Sequence, residues 1–308
     1  MKKFLLIFAA VLLTAFSEDV FAQGTGVAPA VGSTKNYSVA PAAANGNNYA
    51  WSLTTDAAGL IPAGAGVATL SSTGGEDVSD IDITWLNPVI GSTYYLHVVE
   101  TATAANGGCS NHKALAIKPA NLFELEIINV NLANVEQAND FEICPAEVKV
   151  TSYDGANTGT LADAQNFIYN YQKDSVYYKV TASGIDLTTT TWSPQFTIGH
   201  DGITGTTVTA GWSSSITGPF TSLINTDGTT ANDISVPTTA NGVIYIKVVV
   251  NNSTTNEGLT ANNVDVVLLN GANTSEDENG NDVTSIGNGS RNQIIKVRPA
   301  TSDIITTE

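Results

Sequence analysis

The sequence predicts an all-β protein built of antiparallel β-sandwich modules, and three observations carry that prediction. Apolar and polar residues alternate at a period of two in segment after segment. Turn dipeptides of the Asn-Gly and Asp-Gly kind punctuate the chain, and Thr, Asn, Ser and Gly carry most of its polarity. Beyond residue 22, no window of comparable length holds a capped apolar repeat of 3.6 residues; one short helical turn is expected near Leu161 to Ile168.

The first 22 residues read as a cleaved signal peptide. Lys2 and Lys3 precede an apolar run from Phe4 to Phe16, and Val20-Phe21-Ala22 supplies a cleavage site, which makes Gln23 the first mature residue. The run covers about 13 residues, short of the ~20 that a membrane-crossing helix needs. No cysteine follows the cleavage site to take a lipid, and no later run is long enough for a transmembrane segment. The expected location is therefore secreted, at the extracellular cell surface.

Strands follow in order. Ile81, Ile83 and Trp85 alternate with Asp80, Asp82 and Thr84, and Phe123, Leu125 and Ile127 alternate with Glu124 and Glu126. The same period runs through Val176, Tyr178 and Val180, through Ile244 to Val250, and through Val264 to Leu268. Tight turns are expected at Gly74-Gly75, Asn106-Gly107, Asp154-Gly155, Asn241-Gly242 and Asn279-Gly280. A boundary at Lys118-Pro119-Ala120-Asn121 divides the mature chain into a first sandwich over 23–119 and a larger sandwich region over 120–308. Cys109 and Cys144 are the two cysteines of the chain. Export permits a bridge between them; two buried thiols are the alternative.

Residues of the first module resemble a family. Tyr49-Ala50-Trp51, Ile83-Thr84-Trp85, the strand Tyr95 to Val99 and Gly108-Cys109 before Leu115 to Ile117 together resemble the PKD-like modules of Bacteroidota cell-surface and secreted proteins. The resemblance implies tandem immunoglobulin-like sandwiches. In that family the Gly-Cys cysteine often pairs with an earlier one, and this chain has none upstream, which leaves Cys109 to Cys144 or free. Independently of the family, Trp51 and Trp85 are expected to meet between two sheets and fill the core.

The composition excludes some classes of function. A net charge of -17 with 12 Lys and Arg cannot neutralise a phosphate backbone, so nucleic acid is no partner. Nucleophilic catalysis needs a base, and the histidines are three: His97 in a strand, His112 without the further ligands that zinc requires, and His200 in a turn. No pair of carboxylates is singled out, so the chain reads as non-enzymatic. No cofactor is implied except calcium, for which Asp277, Asn279, Asn281 and Asp282 provide alternating oxygen donors in a loop that departs from the EF-hand pattern.

Asp174-Ser175-Val176 resembles the short O-glycosylation acceptor of Bacteroidota, which marks Ser175. The leading expectation is a structural or interaction protein: a surface adhesin or a self-assembling filament or sheath subunit that joins copies of itself or other surface proteins through strand edges. The alternative is carbohydrate binding through exposed aromatic rings, with Trp192, Trp212, Tyr169 and Tyr171 as candidates.

Overall fold

The structure, a computed structural model, describes residues 24–40, 46–155, 159–187, 190–224, 226, 228, 230–237, 241–271 and 273–305. Residues 1–22, where the signal peptide is expected, and Gln23 lie outside the described residues. Among the described residues no helix is long and apolar enough to cross a membrane.

The chain is all-β. Up to Ile117 its strands are β1 (Gly24–Thr25), β2 (Ala28–Pro29), β3 (Thr34–Ser38), β4 (Asn48–Thr54), β5 (Ala68–Leu70), β6 (Gly74–Glu76), β7 (Asp80–Trp85), β8 (Tyr94–Thr101) and β9 (Ser110–Ile117). A three-stranded sheet of order β3-β7-β5 faces a four-stranded sheet of order β6-β4-β8-β9. Tyr37, Ile81, Ile83 and Trp85 from the first pack against Trp51, Leu53, Leu96, Val98 and Ile117 from the second. The alternation of Asp80–Trp85 is realised directly, with Ile81, Ile83 and Trp85 buried and Asp80 and Asp82 exposed. Trp51 and Trp85 belong to one core, and the Trp51 indole N–H also donates to the carbonyl of Val78 at 2.9 Å.

Gly74-Gly75 does not make the expected turn. It forms β6 against β4, with Ala50 opposite Gly74, and a Cβ on Gly74 would stand 2.0 Å from the carbonyl oxygen of Tyr49. The glycine is needed for close approach of two backbones rather than for reversing the chain.

The remaining strands are β10 (Glu124–Val130), β11 (Glu136–Gln137), β12 (Phe141–Ile143), β13 (Lys149–Tyr153), β14 (Phe167–Asn170), β15 (Lys173–Ser183), β16 (Trp192–Ser193), β17 (Gln195–His200) and β18 (Thr207–Ser213). After them come β19 (Thr221–Ser222), β20 (Asn232–Asp233), β21 (Val243–Asn251), β22 (Asn262–Leu268), β23 (Glu276–Asp277), β24 (Ser285–Gly287) and β25 (Ser290–Ile295). One sheet has the order β11-β10-β15-β21-β18-β19 with β24 beside β10, and it faces a sheet of order β12-β25-β22-β17-β20.

Between these two sheets lies a core that shares no residue with the first. It begins at Phe123 and includes Tyr178, Trp192, Phe196, Ile198, the even-numbered residues from Ile244 to Val250, and Val264 and Val266. The Tyr178 hydroxyl crosses the core to donate to the carbonyl of Val264 at 2.6 Å, which satisfies a buried polar group and ties the two layers. The outer face of the larger sheet holds a second small cluster, where Tyr177 and Phe220 flank the ammonium of Lys247.

Candidate interaction site

A two-stranded hairpin stands apart from both sandwiches. Among the described residues β13 and β14 pair only with each other, and the short helix α1 (Leu161–Ala164) lies in the connection between them, where Thr160 caps it by accepting from the Asp163 amide. The helical signal near Leu161 to Ile168 is thus one turn of helix, followed by a strand. Every residue of both strands is exposed. Register places Tyr169 opposite Val150 and Phe167 opposite Tyr153, so these four side chains share one face; the Tyr153 and Phe167 rings lie 5.1 Å apart. Ile168, 48% exposed, is on the other face.

The segment after β25 runs beside the hairpin. Its Ile304 carbonyl accepts from the Gln165 side-chain amide at 2.8 Å, and Asp303 and Ile304 border a shallow pocket together with Phe167 and Tyr169. Beside it opens a groove of about 510 Å³ bounded by Tyr169, Tyr171, Glu257, Leu259 and Arg298. The rings of Tyr169 and Tyr171 are 6.4 Å apart at 44°. Burial and the neighbouring Glu257 push the Tyr171 hydroxyl up in pKa.

Arg298 anchors this end of the molecule. Its guanidinium donates to the backbone carbonyls of Ala146, Tyr171 and Glu257, joining the approach to β13, the β14-to-β15 turn and the loop after β21. Asp174 is close by and buried; it accepts from the Ala146 amide at 2.5 Å and the Asn252 side chain at 3.1 Å. Burial raises its pKa, while those donors and the Arg298 charge pull it down.

The other residues singled out from the sequence fall elsewhere. Trp192 is 1% exposed and belongs to the core, so it cannot stack on a sugar. Trp212 is half-buried against the same core. Tyr169 and Tyr171, by contrast, are brought together as a ring pair at the groove. Cys109 and Cys144 are both free and exposed, in place of the expected bridge or two buried thiols. Cys109 directly precedes β9 and Cys144 directly follows β12, on sheets of different sandwiches. Ser175 is half-buried in β15 opposite Val249, so the acceptor tripeptide lies in a paired strand rather than an open loop.

The acidic loop is organised around Asp277 as an acceptor of protein donors. Its buried carboxylate takes the amides of Asn279 and Asn281 and the side-chain amide of Asn281, all within 3.2 Å. Glu278 turns to Thr191, whose amide and hydroxyl it accepts, and Asp282 is exposed. Asp277→Ala should lower stability by about 1–3 kcal/mol through three orphaned donors. In differential scanning calorimetry a rise in melting temperature with millimolar calcium would support the calcium reading of this loop, and an unchanged value would count against it.

The contact between two histidines had no signal in the sequence, whereas His200 takes the turn role expected for it. His97, buried, holds His112 at 2.9 Å and the Thr54 hydroxyl at 3.0 Å, a contact created by the pairing of β8 with β9. His200 accepts the Gly202 amide at 3.0 Å in its turn. Among the described residues no three His, Cys, Asp or Glu side chains gather as a metal site.

No family model and no curated protein matches this chain. Among solved structures, one titled BspA_C_mut aligns at 10% identity and TM-score 0.29, covering 87% of this chain and 93% of that one. A marsupial T cell receptor chain aligns at 7% identity and TM-score 0.24, covering 89% of this chain and 73% of that one.

Proposed function

We propose that this chain is a non-enzymatic interaction protein of the cell exterior, and that it assembles through the end of the molecule that carries the β13–β14 hairpin. One observation carries the reading. Large apolar side chains exposed on described strands fall on β9, β13 and β14 alone, and the hairpin holds five of them: Val150, Tyr153, Phe167, Ile168 and Tyr169. An isolated two-stranded hairpin is marginal in water by itself, and a cluster of exposed apolar groups is the usual mark of a surface that is covered in use. The signal peptide read at 1–22 and the PKD-like resemblance of 23–119 agree with a surface or extracellular subunit, an adhesin or a filament unit.

Light scattering and negative-stain microscopy of the mature protein test this reading. Defined oligomers or fibres are expected, and a particle that stays monomeric at every concentration would overturn self-assembly. A second reading has its own observation, the Tyr169 and Tyr171 rings beside a groove with Glu257. It is glycan binding, with stacking on those rings. Saturable glycan-array binding that Tyr169→Ala abolishes would favour it.

A further inference from the structure

We propose that the outer edge of β9 is the acceptor for the β13–β14 hairpin of a second copy, which enters as an added strand, so that copies join head to tail. The inference rests on the assembly reading and names the two surfaces that meet.

The acceptor is an open edge with an apolar groove beneath it. β9 pairs with β8 on one side, and among the described residues no strand pairs with its other side. Backbone direction follows from two bonds: the Cys109 carbonyl accepts from Ala102, toward β8, and the Lys118 amide donates to Val27, away from it. Alternation between them turns the N–H and C=O groups of Ser110, His112, Ala114 and Ala116 outward. Val27 covers the edge only at Lys118. Between this edge and β3 lies a groove of about 230 Å³ that reaches Trp51, Leu96 and Val98 of the core and is bordered by Val39, Lys113 and Leu115.

The donor fits in pattern and charge. Among the described residues no strand pairs with the outer edge of β14; its aromatic face borders pockets shared with Asp303 and Ile304, and Ile168, exposed, stands on the opposite face. Ile168 is the side chain that enters the groove. β9 carries His112 and Lys113 and no carboxylate, in a chain of net charge -17; β14 is uncharged, and Asp154 is exposed at the hairpin's far end. A symmetric pairing of β9 with β9 in the register centred on Lys113 would set two lysines opposite each other, a repulsion that β14 avoids, since the hairpin's one lysine, Lys149, lies on β13. Because acceptor and donor are different surfaces, the contact is heterologous and propagates.

The test blocks each surface separately in the mature protein. Ala114→Pro removes an outward N–H while leaving the β8 ladder intact, and Ile168→Asp places a charge on the donor. Each variant alone should fall from oligomers to monomers in light scattering, with its melting temperature and circular dichroism showing that it is folded. Mixed one to one, they retain one good acceptor and one good donor between them and should form dimers that grow no further. Oligomers that persist in both variants would overturn the inference while leaving assembly standing. An unmodified protein that is monomeric throughout would overturn both. Two variants that are monomeric alone and in the mixture would also overturn the inference, since assembly would then use other pairs of surfaces. Should Ala114→Pro misfold, Leu115→Glu at the groove rim replaces it, with the same three outcomes.

Discussion

Trp192→Ala is expected to destabilise the protein by about 3–5 kcal/mol, the range for truncating a buried aromatic side chain. Trp192 is 1% exposed and packs in the core of the larger sandwich. Its indole N–H donates to the Asn241 carbonyl at 3.3 Å, and its backbone exchanges two hydrogen bonds with Val236. The substitution leaves a cavity and an unpaired carbonyl, while the backbone bonds survive. Domains hold only about 5–15 kcal/mol in total, so the urea midpoint should drop by a large fraction of its value. Trp192→Phe should recover more than half of the loss by refilling most of the volume. Tyr169→Ala, at an exposed site, should stay within about 0.5 kcal/mol of the unmodified protein. Equal effects of Trp192→Ala and Tyr169→Ala on the midpoint would contradict the assignment of one ring to the core and the other to the surface.

That contrast also shows what the sequence made legible. Strands with one face in the core and one in water announce themselves by alternation, as Asp80–Trp85 and Val264–Leu268 do. Trp192 is followed by Ser193 and Pro194 and occupies a strand of two residues, too short for any period to register, so it reads as a loop aromatic. Tyr169 and Tyr171 were legible because two residues apart on an extended chain share a face. The Asp277 loop shows its alternating oxygen atoms in the sequence, but that Asp277 accepts the amides two and four residues on is visible only in the folded geometry. The open edge of β9 was beyond reach for a different reason. A strand's sequence does not state which neighbours it will have, and edge position is a property of topology.

Arg298→Ala is expected to loosen the hairpin end and to destabilise the protein by about 2–4 kcal/mol, with the loss depending on pH. The residue is 9% exposed and serves three backbone carbonyls, those of Ala146, Tyr171 and Glu257, that are far apart in sequence. Carbonyl partners carry no side-chain signature, which is why nothing in the sequence marks Arg298 as an anchor. Arg298→Lys should recover only part of the loss, since one ammonium on a flexible stem cannot reproduce a planar fork aimed at three acceptors. The pH dependence comes from Asp174, whose pKa burial raises and the Arg298 charge lowers. Without Arg298 the folded-state pKa of Asp174 rises further above its unfolded value. The native state then holds the proton more tightly than the unfolded state, so stability falls as pH rises from the unfolded pKa through the folded one. The deficit of Arg298→Ala should accordingly be greatest near neutral pH and shrink in acid as Asp174 protonates. Urea titrations of both proteins across that interval measure it directly, and a deficit that is flat with pH would detach Asp174 from the anchor. Because the same guanidinium holds the turn that leads from β14 into β15, the variant should also assemble less well than its loss of stability alone accounts for.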